Sequence, residues 1–351
     1  MTRSLTQRLD IAYPIIQAPM AGVATPALAA AVSNAGALGS LGLGASSVAQ
    51  AETLIDNTRR LTAQPFNVNL FCHAPAQRDS DREAQWIAAL RPLFARFGCE
   101  PPEELAEIYP PFSANPQMAD LLLDLKPAVV SFHFGVADKT FIRRLRERGV
   151  VTMASATCVA EAQQIAAQGI DIIIAQGYEA GGHRGIFDPQ ADDRQMSTAT
   201  LVQALQRVVS LPVVAAGGIM DGAGISRVMR CGAAGAQLGT AFLLCPESAT
   251  DAGYRQALTC ARDPQTVMTA AISGRPARCV DNAFCEIGRR NPACRPPDYP
   301  VAYDIGKALA AAAKAQGDYR FGAHWAGQGV GAIRELPAAE LIQRFVDECG
   351  F

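Results

Sequence analysis

The sequence predicts an α/β fold: a (β/α)8 TIM barrel with an additional, mainly helical substrate or lid domain inserted after the eighth strand. Three observations predict it. Eight short apolar runs recur over roughly 240 residues, and helix-like stretches separate them. Most of the runs are continuous rather than alternating, as expected of strands covered on both faces in a parallel sheet. Glycine, amide and hydroxyl residues follow five or more of the runs, which fits the single catalytic face of a barrel. An open doubly wound sheet is the runner-up, because periodicity alone does not separate the two.

The strands are expected at 14–18, 37–41, 66–70, 128–132, 150–154, 170–175, 213–216 and 236–239. Helical patterns occupy 47–58, 139–148, 159–167, 199–209 and 222–230, and 336–349 reads as a final amphipathic helix. Two stretches break the rhythm. Residues 73–124, rich in Arg, Glu and Pro and containing Trp86, form an insertion after the third strand. Residues 247–313 follow the eighth strand and carry several helical patterns plus the proline-rich 292–300. The expected division is therefore a barrel over 1–244 and 315–351, with 73–124 inserted in it, and a helical lid over 245–314.

A chain of 351 residues with 49% hydrophobic content suits one large domain with an appendage. With 31 Lys and Arg against 33 Asp and Glu, it has no basic footprint for nucleic acid. The longest apolar stretches, such as 26–44, are broken by Gly, Ser and Asn, so no clean membrane span is present. The first eight residues lack the apolar core of a signal peptide, and a cytoplasmic location is expected. The ten cysteines are scattered without a Cys-x-x-Cys pair. Cys279, Cys285 and Cys294 lie closest together, but their spacing matches no common zinc module, so neither metal nor disulfide is expected.

The most informative stretch is 176–185, QGYEAGGHRG, directly after the apolar run that ends at Ala175. A buried strand thus delivers His183 into a loop too glycine-rich for a helix or a packed core. Phosphate chemistry comes next. Gly217 and Gly218 end the seventh run, and Gln237, Leu238, Gly239 and Thr240 end the eighth. The loops after these two strands form the usual phosphate site of such barrels, where bare N–H groups and a helix N-terminus hold a dianion. Gln17 to Gly22, Asn69, Ser131, His133, Ser155 and Gln176 stand at other strand ends. Uncharged amides there present donors and acceptors to the edge of a heterocycle. Phosphate plus heterocycle points to flavin mononucleotide. The glycine-rich 327–331 has no βαβ context, and no Walker lysine motif occurs.

These residues resemble the nitronate monooxygenases, formerly called 2-nitropropane dioxygenases. The resemblance rests on 17–44 (QAPMAGVATPALAAAVSNAGALGSLGLG), 176–185, and 215–218 together with 237–240. It extends to 299–307 (YPVAYDIGK) and 325–329 (WAGQG), and so spans nearly the whole chain. The first three motifs are shared with flavin-dependent enoyl-ACP reductases and NADH:quinone reductases; the last two look like the class I nitronate monooxygenases. One departure is Ala37, where the family's pattern often has glycine.

The resemblance implies that Met20, Asn69, Gln176, Gly181, Gly182, Gly217, Gly218, Gln237, Leu238, Gly239 and Thr240 bind FMN and that His183 is catalytic. It implies oxidation of alkyl nitronates such as propionate 3-nitronate by O2 to carbonyl compounds and nitrite or nitrate, without metal or nicotinamide. A nitronate is already an anion, so the site has to attract it, place it against the flavin and let one electron pass. His183, whose charge small shifts set near neutral pH, suits holding that anion; for neutral nitroalkanes it is the candidate base. Tyr303 and Lys307 share a helix face, with Tyr299 a turn earlier, and form the expected substrate wall together with His133; the alternatives are a solvated Lys307 and a His133 that is a hydrogen-bonded strand-end residue. Arg184 is expected to salt-bridge at the rim, and Trp325 either covers the flavin or anchors the last helix. The alternative enzyme is an NAD(P)H-dependent flavin reductase of a quinone or enoyl thioester on the same fold. A non-catalytic phosphate-ligand sensor is the alternative from another class.

Overall fold

The computed structural model describes residues 3–259 and 265–351; Cys260 falls outside them. Eight parallel strands form one sheet: β1 (Ile15–Gln17), β2 (Gly39–Gly42), β3 (Phe66–Phe71), β4 (Val129–His133), β5 (Val151–Ala156), β6 (Ile172–Gln176), β8 (Val213–Ala216) and β9 (Gly235–Leu238). Their order is β1-β9-β8-β6-β5-β4-β3-β2, and a parallel bridge from Ile16 to Leu38 joins the two ends. Gln17 N donates to Leu38 O at 2.9 Å, and Leu38 N donates to Ile15 O at 2.9 Å. The sheet is therefore closed, and the strand ends depart from their expected limits by at most two residues.

The continuous apolar runs have a direct explanation. In β6, Ile172 and Ile174 point inward to a small cluster with Met153 and Val214, while Ile173 and Ala175 pack outward under the helices. Period-two alternation thus places both sets of side chains in apolar surroundings. Leu5 and Leu9 of α1 (Leu5–Leu9) join the inner cluster. Close approach decides one glycine: a Cβ on Gly39 would stand 1.9 Å from the Ala29 carbonyl oxygen of α2 (Pro26–Asn34). Ala37 has no positive φ; that torsion falls on Gly36, at 88°, so alanine is accommodated.

Side-chain caps start most outer helices. Ser47 and Gln50 make a capping box at α3 (Val48–Leu61). Asp138 caps α6 (Lys139–Glu147), Ser197 caps α8 (Thr198–Gln206) and Asp221 caps α9 (Gly222–Arg230). Between α6 and α8 lies α7 (Val159–Gln168), which has no such cap. The helix expected over 199–209 ends at Gln206, leaving the β-branched Val208 and Val209 outside. No long helix directly follows β9. The chain makes a 3-10 turn (Thr240–Phe242), leaves the barrel, and returns about a hundred residues later as α13 (Ala338–Cys349). This helix packs between α9 and α2 and so completes the ring.

The excursion contains α10 (Ala252–Thr259), α11 (Ala283–Arg290) and α12 (Val301–Ala315), plus a ribbon invisible to helical periodicity. That ribbon is β10 (Thr266–Thr269) and β11 (Ala277–Val280), and β11 also pairs with β7 (Gly182–His183). A second core fills this layer: Phe284, Ile305, Leu309 and Phe321 pack with Trp86, Leu90 and Phe94 of α4 (Ser80–Arg96). By contrast, Met118, Leu122 and Leu123 of α5 (Pro116–Leu125) rejoin the barrel core. We infer that the 73–124 insertion is divided, its first half belonging with the lid.

Trp86 is fully buried, and its indole Nε1 has no hydrogen-bond partner. Trp86→Ala should therefore cost about 3–5 kcal/mol of stability through the cavity it leaves. Trp86→Phe should cost clearly less, because no hydrogen bond is given up. Urea or thermal unfolding measures both, and equal losses would contradict a packing role.

Candidate active site

The loop after β6 is held by its own backbone. The Gln176 amide spans it, with Nε2 donating to His183 O at 3.0 Å and Oε1 accepting from Gly185 N at 2.7 Å. His133 Nε2 lies 3.2 Å from the same carbonyl, and its Nδ1 lies 3.0 Å from Ser155 Oγ. A carbonyl only accepts, so His133 carries its proton on Nε2 and accepts from the serine hydroxyl. Glu179 accepts from Thr198 N and Oγ1, each at 2.9 Å through Oε2. Arg184 departs from the expected rim position. It is 2% exposed, binds Asp193 through two nitrogens at 2.7 and 3.0 Å, and also donates to Gln176 O. A guanidinium inside the loop satisfies its donors on the loop itself, which makes it a structural clasp.

All of the residues expected at the site line one cavity of about 1130 Å³ at the C-terminal ends of the strands. Met20, Gln237, Leu238, Gly239 and Thr240 come from the loops after β1 and along β9, and Asn69, His133 and Gln176 from β3, β4 and β6. Gly181, Gly182 and His183 enter from the long loop, and Gly217 and Gly218 from the end of β8. Tyr299, Tyr303 and Lys307 enter from the lid. Tyr299 precedes α12, which begins after Pro300, so it reaches the cavity from a turn.

One end of the cavity is a cradle of backbone. Gly217 and Gly218 have φ of 123° and 70°, and a Cβ on Gly217 would come within 2.9 Å of Ala180 N. Only glycine allows both the torsion and that approach. Among the described residues, nothing accepts from the N–H groups of Gly218, Gly239 or Thr240. Gly327 N donates to Thr240 Oγ1 at 2.9 Å, and Gln328 N to Glu179 O at 2.9 Å. The glycine-rich 327–329 thus serves close packing beside the cradle.

His183 stands at the other end, in an aromatic cage. Its ring lies 5.0 Å from Trp325, 5.2 Å from Tyr299, 5.7 Å from Phe134 and 6.1 Å from Tyr303. Trp325 therefore packs on His183 and not on the last helix. His183 Nε2 lies 2.9 Å from Ser273 Oγ, whose hydroxyl donates to Arg275 O at 3.2 Å. The serine proton being spent, its oxygen accepts from His183 Nε2–H, and Nδ1 keeps a lone pair. Burial pushes the His183 pKa down to about 3, reinforced by His133 and Arg275. Burial likewise lowers His133 and His73 to about 4. The imidazole expected to switch charge near neutral pH is thus neutral there.

Sequence patterns gave no notice of several neighbours. Tyr109, from the insertion, accepts from Lys307 Nζ at 2.5 Å, and Ser273 and Arg275 come from the turn before β11. Phe134 has φ of 68°, uncommon for a bulky residue, and is followed by Gly135. Tyr109 stands before two prolines in an aperiodic stretch, and only its aromatic character offered a signal.

The family profile of the nitronate monooxygenases matches residues 2–348. The chain belongs to the nitronate monooxygenase family. It is 53% identical to a nitronate monooxygenase of Paraburkholderia phytofirmans over 99% of this chain and 94% of that protein. It is 50% identical to the enzyme of that name from Pseudomonas aeruginosa over 99% of both. Among solved structures it resembles nitroalkane oxidase from Streptomyces ansochromogenes, with a TM-score of 0.89, 38% identity, and coverage of 97% and 96%. Nitronate monooxygenases are flavin-dependent oxidoreductases acting on small molecules. The residues present fit a flavin. The unpartnered N–H groups of the cradle suit a phosphate, and Asn69, whose Nδ2 donates to Ser131 Oγ at 2.9 Å, retains its carbonyl oxygen for a ring edge. Among the described residues no helix is long and apolar enough to cross a membrane, and no group of three or more His, Cys, Asp or Glu is placed to hold a metal. The described cysteines are free thiols.

The depressed imidazoles set a pH dependence of folding. An unfolded histidine takes up its proton near pH 6.5, whereas buried His73 resists until about 4. Stability is then full above pH 6.5 and falls as pH drops from there toward 4. Between pH 7 and 5 the loss should be about 2 kcal/mol for a fully buried imidazole such as His73, with smaller additions from His133 and His183, which keep some exposure to the cavity. Urea midpoints at the two pH values test this, and equal midpoints would refute it.

Proposed function

We propose that this protein is an FMN-dependent nitronate monooxygenase of the cytoplasm that detoxifies alkyl nitronates such as propionate 3-nitronate. O2 is the co-substrate, and the products are carbonyl compounds with nitrite or nitrate. The observation that carries this reading is the pairing of a backbone phosphate cradle with a caged, neutral His183 in one cavity. The cradle of Gly217, Gly218, Gly239 and Thr240 holds the FMN phosphate, and Met20, Asn69, Gln176, Gly181, Gly182, Gln237 and Leu238 line the rest of its bed. When bound, the flavin supplies one-electron oxidation of the substrate and the reaction with oxygen.

The chain's own groups do the positioning. Lys307 and the hydroxyls of Tyr299 and Tyr303 supply donors to an anionic head group at the lid side. Burial raises the pKa of both tyrosines, so they remain protonated donors at neutral pH. His133, with both ring nitrogens spent, holds His183 in place. His183 Nδ1, unprotonated, accepts a proton when the substrate arrives as the neutral nitroalkane. A nitronate needs no such transfer.

Three measurements follow. Cofactor released from the purified protein should be FMN, and recovery of FAD would overturn that assignment. In His183→Asn, oxygen uptake with a neutral nitroalkane should fall by about 10²–10⁴-fold, with a much smaller loss on the preformed nitronate. Rapid NADH reduction of the flavin with no nitronate-dependent oxygen uptake would instead establish the flavin reductase alternative.

A further inference from the structure

The cavity has to attract an anion, yet the histidines around it are neutral. The cations nearby differ in what they have left to offer. Arg184 is neutralised by Asp193. Arg278 is as deeply buried as any, but it spends two nitrogens on Tyr178 O, at 3.1 and 2.9 Å, and its third on Thr266 O at 3.4 Å. Lys307, bonded to the neutral Tyr109 hydroxyl, offers its charge from the exposed lid rim. Among the buried cations that leaves Arg275, 3% exposed and with no carboxylate within ion-pairing distance among the described residues.

Arg275 is held by few polar contacts. One Nη donates to Ile186 O, and Nε has no partner. Its guanidinium lies 4.2 Å from the Phe134 ring centroid. Phe134 itself lines the cavity and touches the His183 and Tyr299 rings, so one aromatic ring separates the charge from the substrate space. The nearest acidic groups act on it only at longer range. Glu161 spends its oxygens on Thr157 and Phe187 N, and Asp188 accepts from Gln190 N. Burying an ion without a direct counter-ion is costly, and such a charge keeps its field in a weakly polarisable interior. The positive potential reaches His183, His133 and His73, where it disfavours protonation, and Arg275 stays charged at neutral pH with a pKa lowered by burial to about 10.

We propose that Arg275 is a specificity-determining positioning residue, a buried counter-charge that makes the cavity select the anionic nitronate over the neutral nitroalkane of the same shape. The inference rests on the proposed nitronate chemistry. Arg275 touches neither substrate nor flavin; it acts across Phe134, and its main-chain carbonyl also orients the Ser273 hydroxyl that receives His183. The charge and the neutral imidazole are complementary. The same field that adds to burial in keeping His183 unprotonated draws in a substrate that has already lost its proton.

The test compares Arg275→Met and Arg275→Lys with the wild-type holoenzyme, flavin content and melting temperature being recorded for each. Nitrate, a planar and inert oxyanion, is the binding probe, read as competitive inhibition and as perturbation of the flavin spectrum. Arg275→Met should weaken nitrate binding and raise the KM for nitronate by about tenfold, while the KM for the neutral nitroalkane changes little. Arg275→Lys should recover most of the difference, and the acid limb of the pH profile should move upward in Arg275→Met. Equal losses on anionic and neutral substrates, or unchanged nitrate affinity, overturn the proposal. If Arg275→Met does not fold, nitrate affinity of the wild type across ionic strength decides. A buried charge predicts weak salt dependence, whereas the steep dependence of an exposed Lys307 would overturn it. Absence of nitronate-dependent oxygen uptake in the wild type would refute the function itself, and the nitrate measurements would still decide separately whether Arg275 attracts an anion.

Discussion

Two side chains from separate barrel strands, Gln176 and His133, donate to the carbonyl oxygen of His183, and the lid strand β11 pairs with the same segment. The rest of the barrel mouth depends on this convergence. A glycine-rich loop has high conformational entropy, and its order has to come from bonds made to rigid elements. Here the strands fix the carbonyl from below, the Arg184–Asp193 pair closes the loop on itself, and the lid ribbon fixes it from above. The imidazole then has one setting, with Ser273 on Nε2.

The same arrangement explains the electrostatics. Aromatic rings and the barrel wall remove water from His183, so the site keeps its imidazoles neutral and draws positive potential from arginine and lysine instead. An arginine stays charged where a histidine does not, because its ordinary pKa lies so much higher. The cost is a buried guanidinium with an unpartnered Nε, and the cationic face of Arg275 over Phe134 partly offsets it.

The second core ties this chemistry to stability. Trp86 and Phe94 arrive from the insertion after β3, Ile305 and Phe321 from the segment after β9, and together they carry Tyr109 and Lys307 to one another. Neither excursion buries its apolar side chains alone. Their association brings Tyr109, Tyr303 and Lys307 over the mouth of the barrel, whose own strand ends line the cavity from below.

Much of the barrel was legible because its signals are local. The run 172–175 is apolar throughout since each face of a barrel strand meets a core, and Gly217 and Gly218 declare a turn that only glycine adopts. His183, Tyr303 and Lys307 were legible too, by motif. Contacts between distant segments carried no such mark. Arg184 read as a salt-bridging residue of the rim, and only the fold supplied Asp193 as its partner and put it inside the loop, while Ser273, Arg275 and Tyr109 lie in stretches without periodicity. The sequence by itself determined the eight strands buried on both faces, the glycine cradle and the presence of a histidine above it, because torsion and period-two burial are properties of neighbouring residues. Only the tertiary structure decided that the sheet closes, that this histidine is held neutral and that a buried arginine lies beside it across Phe134, because closure, desolvation and Coulomb interaction depend on distances between residues far apart in the chain.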